Sequence, residues 1–112
     1  MKIKSGIKLI SESVGSGQSI KKGDQVTVRL NGWLSQGEPI QKDFIGQIVV
    51  GRRVVIPGIE QSLLGMKQGG IRTVTISPHL AYKAAGIKDH IPPNAVLTYT
   101  IEVLDIQPAA SL

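Results

Sequence analysis

The residues best suited to chemistry are His79, His90, Ser77, Asp89 and Tyr82, all in one stretch of the chain. Ser77-Pro78-His79 lie close together, but no elbow motif surrounds the serine, so acyl chemistry has no frame. Asp89-His90 offers two neighbouring ligands, which do not make a metal site, and no metal is expected. Both histidines read as exposed loop residues. Gly15 and Gly17 resemble a piece of a phosphate loop, yet no helix follows and the loop's lysine is absent, so they read as a turn. Cysteine is absent, which excludes thiolate catalysis, disulfides and Cys-based metal sites. No carboxylates pair at useful spacing. What remains is a set of apolar and aromatic residues and a tyrosine, Tyr82, in a long loop. That inventory suits recognition of an apolar ligand or peptide in a concave pocket, without a cofactor.

The elements that must position these residues fit in one domain, since the chain has 112 residues. Apolar residues make up 41%, typical of a globular protein, and no apolar run reaches membrane-span length. Met1-Lys2-Ile3-Lys4-Ser5-Gly6 lacks the apolar core of a secretory signal. With no cysteine to protect, the expected compartment is the cytosol. Net charge is +5, with basic residues spread along the chain apart from Lys21-Lys22 and Arg52-Arg53. Few aromatics accompany them, so neither nucleic acid nor membrane is an expected partner, although the charge biases the protein toward acidic partners. A monomer is expected.

Residues 7–12 predict a first strand and Val14–Gln18 a turn. Residues 25–34 alternate, with Val26, Val28 and Leu30 on one face and Thr27 and Arg29 on the other. Ser35–Glu38 predicts a hairpin tip and residues 47–51 a short strand. Pro57 sits where a first helical turn tolerates it, Ile59, Leu63 and Met66 follow at helical spacing, and Gly65 and then Gly69-Gly70 mark the exit. Residues 71–77 predict another strand. Residues 78–95, bounded by Pro78 and Pro92-Pro93, form a loop long enough to be functional. Residues 96–106 predict a last strand, with Leu97, Tyr99, Ile101 and Val103 on one face. Residues 107–112 are expected to fray. This is an α+β layout, an antiparallel sheet covered by one short helix. Asn31-Gly32 is the strongest short hairpin cue and would break the second strand; the alternative is a bulge in one continuous strand.

Four segments carry a resemblance. Val54-Val55-Ile56-Pro57-Gly58-Ile59-Glu60 runs from strand to helix, and Gly65-Met66-Lys67-Gln68-Gly69-Gly70 ends that helix. Thr75-Ile76-Ser77-Pro78-His79-Leu80-Ala81-Tyr82 and Ile91-Pro92-Pro93-Asn94-Ala95-Val96-Leu97-Thr98-Tyr99 complete the set. In this order and spacing they resemble the FK506-binding-protein (FKBP) family of peptidyl-prolyl cis–trans isomerases, over about residues 6–106. The resemblance implies a strongly bent antiparallel sheet wrapped around a short helix, and selects the bulge at Asn31-Gly32. It implies isomerisation of X-Pro bonds in polypeptides, and a pocket that takes macrolides such as FK506 and rapamycin. In that pocket Val55 and Ile56 match the strand edge, where the Ile56 N–H would meet a ligand carbonyl. Tyr82 matches a loop tyrosine that donates to another carbonyl, Ile91 an apolar wall, and Tyr99 a residue that is usually phenylalanine.

The chain also departs from the family pattern. Leu30 replaces a pocket tyrosine, Ile40-Gln41 stands for phenylalanine-aspartate, and Ile59 replaces a floor tryptophan. The segment between Gly37 and Ile48 is short, and the family's second phenylalanine is missing there, with Gly46 or Phe44 nearby depending on alignment. Reduced macrolide affinity and reduced turnover are therefore expected. The competing readings are a binding or chaperone module of the same fold with little turnover, and an enzyme that uses Tyr82 or His90 as an acid or base.

Overall fold

A computed structural model describes residues 2–109, with side chains from residue 5 onward. Six strands form one antiparallel sheet in the order β1-β2-β5-β6-β3-β4. They are β1 (Lys2–Lys4), β2 (Ile7–Ser13), β3 (Gln25–Leu34), β4 (Pro39–Val49), β5 (Ile71–Ile76) and β6 (Leu97–Gln107). Among the described residues one helix, α1 (Pro57–Leu63), lies between β4 and β5, and a single 3-10 turn covers Pro78–Leu80. The α+β class with one short helix on a bent sheet is the architecture observed.

Alternation decides which side of the sheet is dry. Val26, Val28 and Leu30 of β3 and Leu97, Tyr99, Ile101 and Val103 of β6 are all buried on one face. The opposite face is polar: Arg29 pairs with Glu102 at 3.1 Å and Thr73 bonds Thr100 at 3.0 Å. Against the dry face α1 lays Ile59 and Leu63, with Met66 just beyond its end; all three are buried. Pro57 occupies the first turn as expected, and the helix stops after seven residues, with Gly65 at φ +83°. A helix of two turns has no stability of its own, so its anchors matter. Gly58 touches Ile76 so closely that any side chain there would overlap it. Arg72 of β5 donates to the carbonyls of Ser62 (2.8 Å) and Leu64 (3.2 Å), and to Glu12 of β2 at 2.6 Å.

Four expectations need correcting. β4 starts at Pro39 rather than residue 47 and ends at Val49, because its first half is an exposed edge without clean alternation. A strand at Lys2–Lys4 precedes the first expected one. The tail does not fray at once: Gln107 pairs with Gln25, and the Ala109 N–H donates to Asp24 at 3.1 Å; residues 110–112 lie outside the described residues. As the resemblance implied, Asn31-Gly32 makes no hairpin and β3 runs on to Leu34, but the bulge is not in β3. The bulge lies opposite, in β4. Leu30 pairs with Phe44 and Gly32 with Gln41, so Lys42 and Asp43 together face Asn31. Asp43 takes φ +44°, and its N–H donates to Asn31 Oδ1 at 2.9 Å.

Candidate functional site

Where β4 leaves the hairpin tip, it faces the loop between β5 and β6 across a cavity of about 430 Å³. Tyr99 of β6 provides the buried floor. Pro39, Ile40 and Gln41 of β4 form one wall, and Tyr82, Ile87, Asp89, His90 and Ile91 of the loop form the other, with Glu38 at the rim.

Each wall has a local cause. The tip is closed by the Leu34 N–H donating to Glu38 at 2.8 Å, with Gly37 at φ +92°. The long loop is built rather than loose. Its first turn returns from Lys83 to Pro78 (2.8 Å), and Asn94 ties back to Lys83 (3.0 Å). Ile87 and Ile91 exchange two backbone hydrogen bonds of 2.8 Å around a turn in which Asp89 has φ +64°. That turn holds Ile91 buried behind the wall and leaves His90 and Asp89 exposed.

The floor depends on Gly32. It pairs directly with Tyr99 across β3 and β6, and a Cβ placed on it would lie 2.5 Å from the ring. The tyrosine ring therefore lies over a glycine, which explains a glycine in the middle of a strand. The Tyr99 hydroxyl donates to Gln41 Oε1 at 2.8 Å across the cavity. Burial, and secondarily the nearby Tyr82, push the Tyr99 hydroxyl up to about 12, so it stays neutral. The floor thus presents an aromatic ring and a neutral, occupied hydroxyl.

The structure brings together Ile40, Gln41, Tyr82, Ile91 and Tyr99 of the expected site residues. Val55 and Ile56 are partly buried and pack on the core beside α1. Among the described residues the Ile56 N–H has no protein acceptor, while its carbonyl accepts from Ile59 and Glu60 at 3.1 and 3.2 Å. Leu30 and Ile59 do not line the cavity. They are 1% and 3% exposed and belong to the core, because each is the inward residue of its strand or helix. Sequence reasoning missed Glu38, Pro39, Ile87, Asp89 and His90 as lining residues. Proximity in sequence to Ile40 and Ile91 was the available signal.

Phe44, which the resemblance placed only near a family phenylalanine, was not among the expected site residues for a different reason. Residues 41, 43 and 45 would share a face in a regular strand, but the bulge at Lys42-Asp43 reverses the order beyond it. Phe44 consequently shares the concave side with Gln41, Gly46 and Ile48. Its ring lies over Gly46, with Cε2 2.7 Å from where a Cβ would stand, and 46% of the residue is exposed. Ile45, its neighbour, is 54% exposed on the outer face.

A family model described as FKBP-type peptidyl-prolyl cis-trans isomerase matches residues 16–104. The FK506-binding protein 4 of Chaetomium thermophilum is 36% identical over 110 residues, covering 96% of this chain and 23% of the relative. The FKBP-type peptidyl-prolyl cis-trans isomerase FkpA of Escherichia coli K12 is 36% identical over 97 residues, covering 85% of this chain and 36% of the relative. A crystal structure of FkpA from Escherichia coli superposes with a TM-score of 0.79 at 31% identity, covering 93% of this chain and 48% of that one. The chain spans 22–29% of the length of several fungal and insect relatives.

Proposed function

The chain belongs to the family of FKBP-type peptidyl-prolyl cis–trans isomerases, and from that membership we propose that it accelerates rotation about X-Pro bonds in polypeptide clients. The observation that carries this reading is the cavity floor: a buried Tyr99 ring whose hydroxyl is neutral and held by Gln41.

Rotation about a peptide bond faces a barrier of roughly 18–20 kcal/mol, because resonance holds the amide planar. At proline the two isomers differ by only about 0.5–1 kcal/mol, so speed is what a catalyst must supply. Twisting removes resonance and shrinks the C–O dipole. A dry apolar surface withdraws the water that stabilises the planar, polar amide, and so favours the twisted one. Each roughly 1.4 kcal/mol of such preference gives tenfold in rate. No acid, base or metal is needed.

In this reading the prolyl ring rests on Tyr99 between Ile40 and Ile91, with Val55 and Ile56 at the open edge. Tyr82 and the Ile56 N–H donate to the flanking carbonyls. Gln41 orients the floor, and Leu30 and Ile59 support it from within the core. Macrolides of the FK506 and rapamycin type would compete for the same cavity, more weakly than in members with more rings there. The cysteine-free composition suits the cytosol, and the domain is proposed to act as a monomer.

The test is exchange NMR on a short proline peptide, with wild type beside Tyr82→Phe and Ile56→Asp. Accelerated exchange, reduced about tenfold or more in the variants, supports catalysis. Saturable shifts without acceleration would assign the domain as a binding module of low turnover. The withdrawal of Leu30 and Ile59 into the core favours that second reading.

A further inference from the structure

The two basic pairs of the sequence come together in the fold. Lys21-Lys22 lies in the turn before β3, and Arg52-Arg53 in the turn after β4. The turns are joined by the Gly23 N–H donating to Val50 at 2.8 Å and the Val50 N–H donating to Asp24 at 3.0 Å. The Lys22 stem lies across Gly51, with Cγ 2.8 Å from where a Cβ would stand, a close approach that glycine at φ +98° permits. All four cations are exposed, and among the described residues none forms an ion pair.

The two nearby acids do not quench them through side-chain contacts. Asp24 is 5% exposed, and its oxygens accept from the backbone N–H groups of Lys21 (2.9 Å) and Ala109 (3.1 Å). Glu60 accepts from the Arg53 backbone N–H at 3.2 Å. A hollow of about 420 Å³ opens between Lys22 and Arg52. Arg53 is followed in the chain by Val54, Val55 and Ile56, the last two being the edge proposed above for the client.

We infer that Lys21, Lys22, Arg52 and Arg53 form a docking surface for an acidic polypeptide segment. Resting on the isomerase reading, the inference further assigns that segment to the client, in the same chain as the proline. Four cations on joined turns, with no ion pair among the described residues, raise the local concentration of anionic chains, an effect that salt screens. A polypeptide fits better than a nucleic acid, because no aromatic ring lines the hollow to stack a base.

The experiment compares two proline peptides, one carrying a run of glutamates and the other glutamines at the same positions. The acidic peptide is expected to show about tenfold higher kcat/KM at low salt, falling toward parity near 0.5 M salt. In Lys22→Glu/Arg52→Glu the ratio of the two rates should drop to about one or below, while turnover of the glutamine peptide reports that the site is folded. Equal wild-type rates on the two peptides, or an advantage that survives the double variant, would overturn the inference. If neither peptide is turned over, the isomerase reading fails. NMR shifts at residues 21–23 and 51–53 on adding a glutamate peptide then test the patch alone: salt-sensitive shifts support it, and none overturns it. Tighter binding of a single-stranded oligonucleotide of equal charge would overturn the polypeptide assignment.

Discussion

The backbone N–H of Asp43 donates to Asn31 Oδ1 at 2.9 Å, and this contact pins the bulge that decides which side chains of β4 face inward. Beyond it Phe44 faces the concave side and Ile45 the outer one. Phe44→Ala is expected to lower kcat/KM on an X-Pro peptide by about tenfold, whereas Ile45→Ala leaves it within about twofold. Neither change should cost much stability, since both side chains are about half exposed. A peptide isomerisation assay with matched circular dichroism checks both. Equal losses in the two variants would remove Phe44 from the client-facing surface.

Asn31→Leu removes the acceptor and should loosen the bulge. The expected cost is about 1 kcal/mol of stability, with activity falling toward that of Phe44→Ala. Urea unfolding and the same assay read the two effects.

Tyr99 and Gln41 form a coupled pair, because the phenol donates to the amide oxygen across the cavity. A double-mutant cycle of Tyr99→Phe and Gln41→Leu should give a coupling of about 1 kcal/mol in stability. The hydroxyl also links stability to alkaline pH. Its value is raised from 10.0 to about 12 in the folded chain, so the folded state holds this proton more tightly. The associated stability is complete below pH 10 and is lost as pH rises toward 12, by at most about 3 kcal/mol. Unfolding curves from pH 9 to 12 should show the decline, and Tyr99→Phe should flatten it.

Gly32→Ala would drive a methyl group into the Tyr99 ring, since the nearest ring carbon stands 2.5 Å from the Cβ position. Overpacking of this kind costs about 1–3 kcal/mol. Displacement of the ring should also weaken peptide affinity. Retention of both wild-type stability and wild-type KM would show that the floor tolerates a shifted ring.

Arg72 supports α1 from β5 by donating to the Ser62 and Leu64 carbonyls while also holding Glu12. Arg72→Met keeps much of the stem and loses these bonds, with an expected cost of about 1–3 kcal/mol. Thermal unfolding measures it. Because Val55 and Ile56 precede α1, peptide affinity should fall as well.

Period-2 alternation exposed the buried faces of β3 and β6, and Pro57 with Ile59 and Leu63 marked the helix, because these features depend on near neighbours. The motif resemblance brought Tyr82, Ile91 and Tyr99 into one site. What stayed hidden depends on events between distant segments. A one-residue bulge cannot be seen in β4 alone, so the facing of Phe44 was illegible. Asn31-Gly32 read as a turn because both residues are turn formers; here one pins the bulge and the other clears space for a ring. Leu30 and Ile59 read equally well as pocket or core, and only their depth separates the two. Lys21-Lys22 and Arg52-Arg53 looked scattered until the hydrogen bonds between their turns joined them.

The pairing of Gly32 with Tyr99 joins the early hairpin to the last strand, across everything in between. Closing so long a span is entropically late. The cavity over Tyr99 should thus be the last feature to mature as the chain folds. A nascent copy would hold its β3–β4 ribbon well before it could serve any other polypeptide, and a C-terminal truncation before β6 would leave the hollow without its base.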